Sequence, residues 1–235
     1  MGRFLITLLF LVTSSVGHAE LVIQITSGVD NPTPIAVVST GWSGSSAVPE
    51  DIAGIVSDDL RRSGQFRPIP KQDMLSSPTR ASEVFYRDWR ILKAEYLLIS
   101  NLSENASGNY SLKFQLFDVF NERQELDLAV DGDTDQLRDL AHYMSDQVYQ
   151  QVTGIRGIFS TRIIYVEQIG EIYRLMLADA DGARPRLLKE SRPREPLLSP
   201  SWSPDGRYVA YVSFETTRPA IYLQEIATGV RQQMT

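Results

Sequence analysis

Two stretches in the last third of the chain resemble each other, and that repeat limits the possible folds more than any other feature. "RIIYV…EIYRLMLADADG…RLL" runs alongside "RYVAYV…AIYLQEIATG…RQQ". Ile164 and Tyr165 match Ala210 and Tyr211 at an offset of 46, Ile172 and Tyr173 match Ile221 and Tyr222 at 49, and Gly182 matches Gly229 at 47. From Phe159 onward no helical period is visible, only short runs rich in Val, Ile and Tyr between turn residues. Strand-rich repeats of about 40–50 residues predict a β-propeller with one blade per repeat. Ser203, Pro204, Asp205 and Gly206 suit a type I turn, with proline second and glycine fourth, so "LLSPSWSPDGRYVAYVSF" reads as a hairpin of one blade. A ring needs about four to eight blades, and these residues supply little more than one and a half. Blades without neighbours would expose apolar faces. The sequence therefore reads as the front of a longer protein, whose blade portion is not expected to fold well alone.

Ahead of the repeat, helices alternate with strands, which predicts a small α/β domain over residues 20–152. Ile35–Val38 has the unbroken apolar character of a strand buried on both faces. "PEDIAGIVSDDLRRSG" is a helix, with Pro49, Glu50 and Asp51 in the first turn, Ile52, Ile55, Val56 and Leu60 inward, and Arg61 and Arg62 at the end. A second helix is expected over Ala81–Lys93. Strands follow in "YLLISNL", "YSLKFQLFDV" and "QELDLAV". A last helix starts near Thr134, with Leu137, Leu140, Ala141, Met144 and Val148 spaced by threes and fours. Residues 153–158 form a linker to blades beginning at 159.

The first twenty residues, "MGRFLITLLFLVTSSVGHAE", place a charged Arg3 before an apolar run from Phe4 to Val12 and end on Gly17 and Ala19, the small residues a signal peptidase reads. The run is far shorter than the roughly 20 residues that span a bilayer. Residues 1–19 are thus a cleaved export signal, with the cut between Ala19 and Glu20. No later stretch is apolar enough to span a membrane, so a soluble, exported product is expected.

A net charge of −6 and a pI near 5.0 argue against nucleic acid as a partner. The absence of cysteine excludes disulfides, thiolate nucleophiles and the usual structural zinc sites. "GWSGS" lacks the spacing of a nucleophile elbow, and there is no P-loop or dinucleotide fingerprint. His142, the one histidine after residue 19, reads as structural or exposed. Asp131, Asp133 and Asp135 match the opening of an EF-hand loop, but Gln136 and His142 stand where glycine and glutamate belong. They read as a turn and a helix N-terminus. Asp58 and Asp59 read as a solvated helix face, "ADADG" (178–182) as a hairpin turn, and the repeat tyrosines and Trp202 as blade packing. No cofactor or metal is expected.

Four stretches, "SGVDNPTPIAVV", "PEDIAGIVSDDLRRSGQFRPIP", "VTGIRGIFSTRIIYV" and "LLSPSWSPDGRYVAYVSFE", together resemble the TolB family of periplasmic proteins of the Tol-Pal system. The likeness covers all of residues 20–235. It implies an N-terminal α/β domain followed by an all-β six-bladed propeller, incomplete in this chain. It also implies a non-enzymatic periplasmic adaptor that links the inner-membrane protein TolA to the outer-membrane lipoprotein Pal. Such an adaptor supports outer-membrane integrity, constriction at cell division and protein import. Further outer-membrane proteins are candidate partners. The propeller would bind Pal. The C-terminal domain of TolA would be bound by Glu20, Leu21, Val22, Ile23, Gln24, Ile25, Thr26, Ser27, Gly28, Val29, Asp30 and Asn31. Leu21 is less polar, and Gln24 less apolar, than the family pattern.

The residues themselves suit such a role. Leu21, Ile23 and Ile25 alternate with Val22, Gln24 and Thr26, the period of a half-buried strand. Burying the three apolar side chains contributes about 5–9 kcal/mol, ordering seven residues costs about 7–14 kcal/mol, and ladder hydrogen bonds add about 0.5–1.5 kcal/mol each. A strand so balanced can dock at home or add to another protein's sheet edge. The same residues would also serve as a plain edge strand of the first domain. The short connection "VTGIRGIFSTRIIYV" leaves little slack, so the two ends of the protein are expected to be linked. The rival reading is the front of an exported, propeller-bearing peptidase with its catalytic domain after the last blade.

Overall fold

The computed structural model describes residues 31–44, 48–105, 108–216 and 218–234. The expected signal and its Ala19–Glu20 cut, together with the partner-binding residues 20–30, lie outside the described residues. Asn31 is exposed at their start.

The first unit is a mixed sheet with helices on both faces. Its strands are β1 (Thr33–Val37), β2 (Gly41–Trp42), β3 (Phe66–Pro68), β4 (Tyr96–Glu104), β5 (Tyr110–Asp118) and β6 (Arg123–Gly132), and its helices are α1 (Ile52–Arg62), α2 (Tyr86–Ile91) and α3 (Leu137–Thr153). The strand order is β3-β1-β4-β5-β6, with β2 also on β4. β1 runs parallel to β3 and β4, whereas β4, β5 and β6 form an antiparallel meander. Because β1 is central, both of its faces are covered. Ile35 and Val37 join the core under α1 and α3, while Ala36 and Val38 join Trp89 and Ala94 on the opposite face. Leu137, Leu140, Ala141, Met144 and Val148 on α3 are buried, as their spacing indicates.

Two helix limits differ from expectation. α1 starts at Ile52, with Asp51 outside it as the cap, its carboxylate accepting from the Gly54 N–H at 3.1 Å. The single helix expected over Ala81–Lys93 is a 3-10 turn at Ala81–Glu83, an extended pair at Val84 and Phe85, and then α2. The carboxylate of Glu83 folds back to accept from the Thr79 N–H at 2.9 Å and from Arg80, closing that first turn on itself. The second turn is anchored separately by buried Trp89. β2 and β3 span two and three residues, too short for any period to show.

After α3 come two antiparallel sheets. The first comprises β7 (Arg162–Ile169), β8 (Ile172–Asp179) and β9 (Arg186–Glu190). The second comprises β10 (Leu197–Trp202), β11 (Tyr208–Ser213), β12 (Ala220–Glu225) and β13 (Arg231–Gln233). They share one core, in which Leu175 and Leu177 meet Leu197, Val209, Tyr211, Tyr222 and Ile226, with Tyr173 and Trp202 at its margin. The rings of Tyr211 and Tyr222 stack 6.1 Å apart. The Gly206 N–H donates to the Ser203 carbonyl at 2.9 Å, which closes the expected turn between β10 and β11.

Candidate functional site at the helix–blade junction

Besides its apolar stripe, α3 buries a second, polar row: His142, Ser145 and Asp146. His142 and Ser145 tie α3 to α1, and Asp146 ties it to the entry of the first blade. Asp59 on α1 is fully buried and serves as a shared acceptor. Nδ1 of His142 lies 2.7 Å from Asp59 Oδ2, the Ser145 hydroxyl donates to the same oxygen at 2.8 Å, and Arg62 donates to Oδ1 at 2.6 Å. A buried carboxylate persists only when so satisfied. This corrects the reading of Asp59 as part of a solvated face. Only its neighbour Asp58 is exposed, where it pairs with Arg61. The sequence did hold a signal, because Asp59 falls at helical spacing with Ile52, Ile55 and Val56.

Asp146 pins the connection into the first blade. Its carboxylate accepts from the Phe159 N–H at 2.7 Å, from the Ser160 N–H at 3.2 Å and from the Ser160 hydroxyl. α3 ends at Gly154, whose φ of 74° is the left-handed conformation that stops a helix, and its N–H donates to the Gln150 carbonyl at 2.9 Å. The chain then doubles back so closely that a Cβ on Gly157 would sit 2.4 Å from Asp146 Oδ1 and 2.5 Å from its Cα. Phe159 completes the turn by entering the core of the first unit, edge-on to Tyr149 with ring centroids 5.6 Å apart.

A third tie crosses from α3 to the β8–β9 turn, which the Gly182 N–H closes on the Asp179 carbonyl at 2.9 Å. The "ADADG" segment is thus a turn, and its aspartates face arginines. Arg138 pairs with Asp181 and lies 3.7 Å from Asp179. In the opposite direction Arg184 bonds Asp179 at 2.7 Å, reaches Asp139, and donates to the Asp135 carbonyl at 3.4 Å. The hydrogen bonds that Arg184 donates to Asp179 and Asp139 hold its guanidinium above its ordinary pKa. Arg184 also has a φ of 49°, unusual for a non-glycine residue, and these contacts hold it there. Asp133 caps the turn before α3 in a capping box with Gln136, the helix-start role expected for it.

Burial raises the Asp181 carboxyl pKa, but the Ala183 N–H and the charges of Arg138 and Arg62 outweigh it and leave the pKa below its usual value. A depressed carboxyl stabilises the fold fully above its unfolded pKa, near 3.9, and that contribution fades as pH falls through the lower folded value. Asp181→Asn should therefore be less stable than the parent at pH 7, and the gap should close on acidification below about pH 4. Urea unfolding of both proteins across that range measures it.

The arrangement is one of attachment. Asp59, His142 and Asp181 offer ligand atoms within 4.8 Å of one another, but Ser145 and Arg62 already occupy Asp59, and Arg138 occupies Asp181. A serine–histidine–aspartate relay needs the hydroxyl on the far nitrogen of the imidazole. Here the Ser145 hydroxyl donates to Asp59 instead. Ser43, in the "GWSGS" stretch, has Asn101 as its hydroxyl partner at 3.3 Å.

Residues 21–125 match the TolB amino-terminal domain, and residues 149–235 match the TolB beta propeller domain. The Tol-Pal system protein TolB of Pseudomonas syringae pv. syringae is 49% identical over 238 residues, covering 99% of this chain and 54% of that protein. The chain belongs to the TolB family. The TolB of a Marinomonas species is 48% identical over 235 residues, with 98% of this chain and 54% of the relative covered. The crystal structure of TolB from Acinetobacter baumannii superposes with a TM-score of 0.77 at 35% identity, over 90% of this chain and 51% of the other. The chain thus spans about half the length of the relatives it matches. It comprises the α/β N-terminal domain of TolB and the start of its β-propeller, as the repeat indicated. Among the described residues no helix is long and apolar enough to cross a membrane.

Proposed function

We propose that the protein is a non-enzymatic periplasmic adaptor of the Tol-Pal system. Residues 1–19 direct export and are removed, residues 20–152 form the α/β domain, 153–158 the connection, and 159–235 the opening of a six-bladed propeller. Residues 20–31 are offered to the C-terminal domain of TolA, and the propeller to Pal. The observation that carries this reading is identity of 48–49% over nearly the whole chain to proteins named for the Tol-Pal system. The junction supports it too, since its buried polar groups are spent on holding the two units together and leave Ser145 bonded away from His142. The peptidase alternative gains no comparable support.

The deciding test is removal of residues 20–26 from the full-length protein, followed by calorimetric titration with the TolA C-terminal domain. Binding should be lost while the unfolding free energy stays within about 0.5 kcal/mol of the parent, as for changes away from the core. Affinity equal to that of the parent would refute the assignment.

A further inference from the structure

Between α3 and the first blade lies a cleft of about 300 Å³, whose walls include Asp139, His142, Arg162, Asp179, Arg184 and Arg186. We propose that this cleft binds a small oxyanion, of the phosphate or carboxylate class, through Arg162, Arg186 and Nε2 of His142. The register places the two arginines together. Arg162 stands opposite Asp179, and Arg186 opposite Leu177, which itself pairs with Ile164 two residues beyond Arg162, so all lie on one face of the blade sheet.

Charge within the cleft is unevenly used. Asp139 and Asp179 are both held by Arg184. Arg186 donates only to the neutral carbonyl of Ile226, at 3.1 Å. Arg162 is exposed and makes no hydrogen bond or ion pair among the described residues. The pocket therefore presents two guanidinium groups without a carboxylate, the donors best shaped for an oxyanion.

The second observation is His142. Its ring is 1% exposed, Nδ1 is committed to Asp59, and Nε2 has no hydrogen-bond partner among the described residues, with Asp181 Oδ2 the near charge at 3.9 Å. A buried polar atom without a partner is uncommon and calls for an explanation such as a bound ion. With Nδ1–H donating to Asp59, Nε2 of the neutral ring can only accept. A carboxylate only accepts, so it binds Nε2 with one proton taken up there, which Nε2 then donates; a hydrogen phosphate can instead donate its own O–H to the neutral Nε2.

The groups facing the ring agree with this. Asp59 and Arg62 come from α1, Arg138, Asp139 and Asp146 from α3, and Asp179, Asp181 and Arg184 from the blade turn. These are three arginines against five aspartates, and Arg162 and Arg186 bring the two signs level. For a carboxylate the added charge is then offset by the proton taken up at His142, so its affinity should rise as pH falls.

His142 is the one histidine within residues 20–235, and loss of its ring nitrogen signals in His142→Gln assigns them in the full-length protein. The experiment is a titration of the full-length protein with inorganic phosphate, and separately with N-acetylalanine, at constant ionic strength set with sodium chloride. The His142 ring is read by long-range 1H–15N correlation. A saturable shift of the Nε2 signal is expected, toward the protonated form and weaker at higher pH for N-acetylalanine, and weakened about tenfold or more in Arg162→Gln, a loss of about 1.4 kcal/mol. Saturation by phosphate alone, or by both probes, names the source within the class. A response no different from added chloride would overturn the proposal, as would equal affinity in Arg162→Gln and in Arg186→Gln. None of these outcomes bears on binding to TolA.

Discussion

Replacing Asp146 with alanine should lower stability by about 1–3 kcal/mol for each buried donor left without an acceptor. Three donors converge on this carboxylate, two of them backbone N–H groups at the entry to the first blade. Phe159 is buried beside it, so its N–H has no easy recourse to water once the acceptor has gone. Hydrogen exchange locates the effect: protection should fall at Phe159 and Ser160 before it falls in β4 or β5. Asp146→Asn keeps the shape and one acceptor, and should lose about 1–3 kcal/mol. Adding a Cβ at Gly157 should not rescue the alanine variant. The space freed at Oδ1 leaves the 2.5 Å approach to the Asp146 Cα unrelieved. Equal exchange at Phe159 and Ser160 in parent and variant would show that the connection is held by its apolar contacts alone.

Asp59→Ala, which breaks an ion pair with Arg62, should cost about 3–5 kcal/mol, and in another place. It strips the shared acceptor from His142, Ser145 and Arg62, so α1 and α3 lose the polar link between them. Chemical denaturation gives the magnitude. The His142 ring gives the cause, because with Asp59 gone Nδ1–H loses its acceptor and the preference for that tautomer should weaken. A loss below 1 kcal/mol, with the tautomer unchanged, would mean that other groups fix the ring.

Much of this architecture was legible because local patterns carried it. The spacing of Leu137, Leu140, Ala141, Met144 and Val148 announced the buried face of α3, and the unbroken Ile35–Val38 run announced a strand covered on both sides. The 46–49-residue repeat pointed to blades, and Ser203–Gly206 to the turn inside one. What stayed hidden was decided at long range. Arg138 meets Asp181 across 43 residues, Arg184 meets Asp139 across 45, and Asp59 meets His142 across 83. No periodicity records such pairs, and a charged residue reads as surface until its counter-charge is located. α2 was overextended because helix propensity is a weak prior, and the local hold of Glu83 on Thr79 outweighed it.

The order of charge along the junction makes the contact directional. On the helix an arginine precedes an aspartate, Arg138 then Asp139; on the turn an aspartate precedes an arginine, Asp181 then Arg184. Displacing the turn toward the wrong mate would set Arg184 against Arg138 and Asp181 against Asp139, repelling at both points. The seam thus behaves as a polarised key, admitting a β-turn in one alignment and turning away others. Fidelity of assembly is written into four side chains, whatever strength those same contacts add once the parts have closed.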